Sequence, residues 1–418
     1  MSNGDFRQSY LECRELLTKR LAEPAPGRIQ LLAGPRQVGK TTLLLEIADK
    51  LGKQAVYAAA DAPEGALPGF WERVLARAED AAAAERRAVL LLDEAHLLHD
   101  WAARLKGIWD RFRRKSIPVH VVATGSSALH LAAGSRESLA GRFERITLTH
   151  WSAASIAQVF KVDRAKAVDL VVRMGSYPGA FPLHEDVPRW SAYVRDAILE
   201  PAIGRDILAL AAVRRPALLR QVFGVAASSP AQVVSLQKIQ GQLQDPGALE
   251  TVAHYLALLE EAFLVAPLQK YAKRVARRRA APPKLVTLNN ALVAVMDPHG
   301  IVDARSDPKR FGACVENACL AHAWNAGQQV SYWREEPLEV DGVFEGSWGK
   351  WAVEVKTGGF QMSELKALLE LVRRHPELRP LVICDDAGRA TAERAGVEAI
   401  AWQEFLLGGP PTPRASRS

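Results

Sequence analysis

The chain has 418 residues, 48% of them hydrophobic and 24% charged, which suits two or three folded domains and excludes wholesale disorder. Cys13, Cys314, Cys319 and Cys384 are scattered without CxxC spacing, the first residues lack the apolar core of an export signal, and no stretch approaches the ~18 apolar residues of a spanning helix. A disulfide framework, a zinc site and membrane insertion are therefore not expected, and a reducing cytoplasm is the expected setting.

The net charge of +7 is concentrated in one place. Lys270, Lys273, Arg274, Arg277, Arg278, Arg279 and Lys284 follow one another with no acid among them. Such a patch is the electrostatic footprint of a polyanion, with DNA as the expected partner and a solvated loop as the bland alternative.

In chain order, Leu11, Leu16, Leu17 and Leu21 space an amphipathic helix over residues 8–22, which Pro24, Pro26 and Gly27 bring to an end. A strand is predicted at residues 29–33, then a glycine loop, a helix at 40–50, a strand at 55–59 and a helix around 71–79. Apolar runs at 88–92 and 118–123 add two more strands. This alternation predicts an α/β fold with a parallel, doubly wound sheet. From about Ala153 helical patterns dominate, at 155–160 and 165–174, and a Gly175 to Pro182 turn cluster interrupts them. This first region, with a helical appendage, is expected to span 1–210. Over 211–300, short helices, a longer one at 248–261 and two strands joined by the basic turn predict a winged helix-turn-helix. Residues 301–407 open with a helix and then alternate strands with helices, the clearest strands being 351–356, 381–384 and 398–402. The proline-containing tail, 408–418, is expected to be disordered.

The segment Gly34-Pro35-Arg36-Gln37-Val38-Gly39-Lys40-Thr41 matches GxxxxGK[ST], after an apolar strand and opening a helix. Glycines let successive backbone N–H groups wrap a phosphate, so Gly34 to Thr41, with Thr42, are the expected ATP-binding residues. Lys40 would reach the β and γ phosphates and Thr41 would ligate Mg²⁺. The run Ala88 to Leu92 ends in Asp93-Glu94, and parallel strands present catalytic groups at their carboxyl ends. Asp93 is the expected Mg²⁺ partner, acting from behind the ion's direct ligands or through water, and Glu94 the residue that orients or deprotonates the attacking water. Thr124-Gly125-Ser126-Ser127 ends the next strand, and Ser126 is the candidate sensor of the γ phosphate. Arg142 and Arg136 are rival candidates for a finger supplied by a neighbouring protomer, which implies a homo-oligomer.

Asp93-Glu94-Ala95-His96 resembles the box of one helicase class, but the second motor domain of those enzymes, with its arginine-rich motif, is not in the sequence. More of the chain resembles the prokaryotic AAA-type ATPases with a C-terminal restriction-endonuclease-like domain of unknown function. The matching segments are residues 32–43 and 92–96, Trp101 with Lys106 and Asp110, 124–127, 139–142 and Gly175-Ser176-Tyr177-Pro178. Ala95 and Asn289 depart from that pattern, where a larger apolar residue and an aspartate are common. The resemblance implies an AAA-type P-loop sheet with a helical appendage, followed by a winged helix and a nuclease-like domain.

In Trp351-Ala352-Val353-Glu354-Val355-Lys356 the strand period sends Ala352, Glu354 and Lys356 to one face. With Asp341 upstream and Glu316 on the helix over 310–323, this resembles the PD-(D/E)xK nuclease arrangement, in which carboxylates hold Mg²⁺ and a lysine assists water. Whether the domain cuts is left open. The resulting expectation is an ATP-hydrolysing protein acting on DNA, the alternative being a nucleotide-gated signalling or assembly protein whose last domain is not catalytic.

Overall fold

The run Ala88 to Leu92 has no polar face to offer solvent, so it must lie in a sheet covered on both sides. In the computed structural model, which describes residues 7–125, 139–208, 213–244, 247–272 and 281–411, it does. Ser126, Arg136, Lys273, Arg274, Arg277, Arg278, Arg279 and most of the 408–418 tail lie outside the described residues. The chain divides into two compact units, residues 1–149 and 150–418, and the expected boundary near 210 falls within the second.

The first unit runs β1 (Arg7–Gln8), α1 (Tyr10–Leu21), β2 (Ile29–Ala33), α2 (Lys40–Leu51), β3 (Ala55–Ala59), α3 (Phe70–Glu85), β4 (Ala88–Asp93), α4 (Trp101–Lys115), β5 (Val119–Thr124) and β6 (Phe143–Leu148). Among the described residues these strands form one parallel sheet in the order β1-β6-β2-β5-β4-β3. Strand β6, with Glu144 and Arg145 near its start, has too little apolar patterning to be read from sequence. α1 begins with a capping box: the Ser9 N–H donates to Glu12 Oε2 at 3.0 Å. Phe70, Trp71 and Val74 of α3 and Trp101, Leu105 and Phe112 of α4 pack with Leu90, Leu92 and Val121 into the core.

The second unit opens with α5 (Ala153–Phe160), α6 (Arg164–Met174) and α7 (Val187–Tyr193). Then come α8 (Pro216–Ala227), β7 (Gln232–Val233), α9 (Leu236–Gln240), α10 (Leu249–Glu261), β8 (Val265–Leu268), β9 (Lys284–Thr287) and α11 (Asn290–Met296), with an antiparallel sheet ordered β7-β9-β8. It closes with α12 (Pro308–Asn325), β10 (Gln329–Glu335), β11 (Leu338–Gly346), β12 (Gly349–Lys356), α13 (Lys366–Arg374), β13 (Arg379–Cys384), α14 (Asp386–Arg394), β14 (Glu398–Ala401) and α15 (Trp402–Gly408). β10, β11 and β12 are antiparallel, whereas β12, β13 and β14 are parallel, in one sheet ordered as numbered. The four cysteines are all buried, and none of the described helices is long and apolar enough to cross a membrane.

Candidate functional site

The phosphate loop joins β2 to α2 at the carboxyl edge of the first sheet, where parallel strands leave room for a ligand. Gly34 takes φ +153°, and a Cβ there would lie 2.0 Å from the Leu148 carbonyl oxygen, so no side chain fits. Gly39 precedes the helix in the left-handed region, at φ 91°. The amino end of α2 therefore faces the loop with its backbone N–H groups, the arrangement that favours an anion. Lys40 is buried, and its ammonium donates to the Gly34 and Pro35 carbonyls at 3.1 and 2.8 Å, which keeps the charge over the loop. Thr41 and Thr42 are exposed on the first turn.

β5 lies between β2 and β4, so the end of β5 separates the phosphate loop from Asp93. The register aligns Leu92 with Ala123 and brings the next pair, Asp93 and Thr124, side by side. The Thr124 hydroxyl donates to Asp93 Oδ1 in a short contact and accepts the Glu94 N–H at 3.0 Å. From the other side, the Tyr57 hydroxyl on β3 donates to Asp93 Oδ2 at 3.1 Å. Burial, reinforced by Asp93, pushes the Tyr57 phenol up, so it keeps the proton it donates. Asp93 is thereby aimed by two hydroxyls that the sequence reading did not single out. The signal available for Thr124 was its place at the end of an apolar run; Tyr57 carried none.

Glu94 sits just past the strand with φ 48°, a backbone conformation few non-glycine residues adopt. Its Oε2 lies 3.3 Å from His96 Nδ1. Burial raises the Glu94 carboxyl above its usual range; Lys40 and Arg36 oppose the rise, and Asp93 and Asp61 add to it. A carboxylate raised in this way is poised to take a proton nearer neutrality. The loop, the Lys40 ammonium, the exposed Thr41 and the buried Asp93 fit a Mg²⁺-nucleotide.

Arg142 lies at the opposite edge of this sheet. It immediately precedes β6, whose Phe143 pairs with Ile29, so about 16 Å of strand separates it from the loop that follows Ala33. Its guanidinium donates from Nε to Asp110 Oδ1 at 3.0 Å and lies over the Trp109 ring, 5.7 Å from its centroid. It therefore does not reach the phosphate loop of its own chain.

The second unit brings Glu316 on α12, Asp341 on β11, and Glu354 and Lys356 on β12 together, but around a different cation. Lys284 opens β9 and is 1% exposed. Its Nζ lies 2.6 Å from Glu316 Oε1, 3.2 Å from Asp341 Oδ1, 3.3 Å from the Asp341 carbonyl and 3.7 Å from Glu339 Oε1. Burial by itself would lower this ammonium, yet the carboxylates of Asp341, Glu316 and Glu339 raise it, so it stays charged. The reading of Lys284 as a DNA-contacting residue is corrected: its charge is spent inside the protein. Asp341 Oδ2 accepts the Val355 N–H at 2.9 Å, and Lys356 Nζ lies 3.0 Å from Glu354 Oε1. Burial and the neighbouring Asp341 raise both Glu316 and Glu354. The set does not fit a metal ion: the Lys284 ammonium takes the place between Glu316 and Asp341, and no group of three or more His, Cys, Asp or Glu among the described residues is arranged to hold one.

Asn289, a departure from the family pattern, works as a structural joint. Its Oδ1 caps α11 by accepting the Ala291 N–H at 3.1 Å and also accepts the Ser176 N–H at 3.2 Å. Its Nδ2 approaches His150 Nδ1 at 3.1 Å. Gly175, at φ +73°, leaves this approach open.

Residues 26–157 match the family model of an AAA domain, residues 165–301 a domain of unknown function (DUF8612) and residues 311–405 a second one (DUF4143). No curated protein matches the chain. Solved structures with distant likeness include a Thermotoga maritima RuvB variant, at 18% identity and a TM-score of 0.35 over 72% of this chain and 97% of that one. AMPPCP-bound DnaA from Aquifex aeolicus follows at 15% and 0.30, over 59% and 86%. A katanin structure concerned with self-assembly is similar at 19% and 0.25 over 39% of this chain, which spans only 50% of that one. Likenesses this distant say nothing about what this chain binds. Residues 26–157, which match the model of an AAA domain, hold the phosphate loop and five of the six strands of the parallel sheet, an α/β arrangement that resembles the AAA P-loop ATPases.

Proposed function

We propose that the chain binds and hydrolyses Mg²⁺-ATP at Gly34 to Thr42 and couples the cycle to a contact with DNA. The observation that carries the reading is the group at the strand ends: Asp93 held by Thr124 and Tyr57, and Glu94 beside it with a raised carboxyl. Backbone N–H groups of the loop and the Lys40 ammonium bind the phosphates; Thr41, with Asp93 acting through water, would hold the metal, which would supply positive charge to the phosphates. Glu94 orients the attacking water and accepts its proton. Arg142 or Arg136 of a neighbouring protomer serves as the finger, a role supported for Arg142 by its place at the far edge of the sheet from its own loop.

The element order α8, β7, α9, α10, β8, β9 supports a winged helix-turn-helix. The outer face of α10 carries Ala253, His254, Ala257 and Glu261 and no lysine or arginine, so phosphate contacts are assigned to the basic segment between β8 and β9 rather than to that helix. Steady-state ATP hydrolysis with Mg²⁺, with and without duplex and single-stranded DNA, tests the proposal. Glu94→Gln is expected to keep nucleotide binding and lose about 10²–10⁴-fold in rate. DNA is expected to stimulate the wild type in a salt-sensitive way, and less so when Arg277, Arg278 and Arg279 are neutralised. Wild-type turnover in Glu94→Gln would remove the assigned base; indifference to every DNA would favour the nucleotide-gated assembly reading.

A further inference from the structure

We propose that the Lys284 ammonium is a built-in cation standing where a nuclease of this arrangement would hold its metal, which makes the carboxylate cluster of the last domain a metal-free lock rather than a cleaving centre. The inference is independent of the nucleotide reading, since none of its residues belongs to the first unit.

Three observations carry it. The ammonium donates to the Asp341 carboxylate and carbonyl at 3.2 and 3.3 Å, and Glu316 Oε1 at 2.6 Å and Glu339 Oε1 at 3.7 Å surround it with further negative charge. Lys284 cannot readily withdraw, because its backbone is paired on both sides in the central strand of the β7-β9-β8 sheet, with Val233 and with Leu268. Finally, Lys356, the lysine that a nuclease would turn toward water, is tied to Glu354 at 3.0 Å and lies 3.9 Å from Glu364. The result is an alternation of charge, Lys284 among Glu316 and Asp341, and Lys356 beside Glu354. It fastens the three-stranded sheet to the five-stranded one. With no cation beside them these buried carboxylates would be costly, and a fixed ammonium offsets their charge where another protein would recruit a divalent ion.

The full-length protein, without nucleotide so that no phosphate helps to hold metal, is titrated with Mn²⁺ and followed by electron paramagnetic resonance and thermal melting. Wild type is expected to show no saturable Mn²⁺ site that Asp341→Asn removes, and no shift in melting temperature. Lys284→Met is expected to melt lower and to regain at least about 3 °C on adding Mn²⁺. Should that variant fail to fold, Lys284→Met combined with Glu316→Gln removes one charge of each sign and is expected to be more stable than Lys284→Met alone. A wild-type Mn²⁺ site lost in Asp341→Asn, or a double variant no more stable than the single one, overturns the proposal.

Discussion

Glu94 shows how burial sets up one carboxyl for chemistry. Its backbone lies in the left-handed region and its N–H donates to the Thr124 hydroxyl, so the side chain does not take the position that an extended strand would give it. Burial raises its carboxyl, and a base works only when deprotonated. The hydrolysis rate at saturating ATP is therefore expected to fall on acidification at a pH above the ordinary glutamate range, and Glu94→Gln should flatten that limb. A rate that holds steady down through the ordinary glutamate range would detach Glu94 from the proton transfer.

At the scale of elements, close approach decides what can change. The turn after α6 runs so near α11 that a Cβ at Gly175 would meet Asn289 Oδ1 at 2.0 Å and the Ala291 N at 2.3 Å. With φ +73° as well, any side chain there is strained twice over. Gly175→Ala is expected to destabilise the protein by about 1–3 kcal/mol, read by chemical denaturation. The motif Gly175-Ser176-Tyr177-Pro178 looked like a family signature, and its glycine and serine work as this joint. Sequence boundaries fared well where patterns are local: the strands predicted at 29–33 and 55–59 match β2 and β3. β6 was not legible, because a strand starting Phe143-Glu144-Arg145 owes its place to β2 beside it.

In the second unit, distant segments are held together by buried amides. Asn317 on α12 accepts the Thr287 N–H at 3.0 Å and donates to the Thr287 carbonyl at 2.7 Å and to Asn290 Oδ1 at 2.8 Å. Asn290 in turn donates to the Val172 and Cys314 carbonyls. Removing one member leaves buried partners without hydrogen bonds, each costing about 1–3 kcal/mol. Asn317→Ala is expected to speed amide exchange in β9, α11 and α12 together, measured by hydrogen–deuterium exchange. Loss confined to α12 would show that the amides do not act as one joint.

By itself the sequence determined the phosphate loop and the acidic strand end, because both are contiguous signals: a glycine turn before a helix, and an apolar run stopped by Asp93-Glu94. It also placed Glu316, Asp341, Glu354 and Lys356 as one set. Only the tertiary structure decided what each faces. Tyr57 and Thr124 reach Asp93 because β3 and β5 flank β4, a neighbour relation that no local pattern encodes. Lys284 looked like one more cation of a basic run. The pairing of β9 within its sheet buries it instead and points its charge at carboxylates far along the chain, where a buried ammonium is stable only if oxygens surround it.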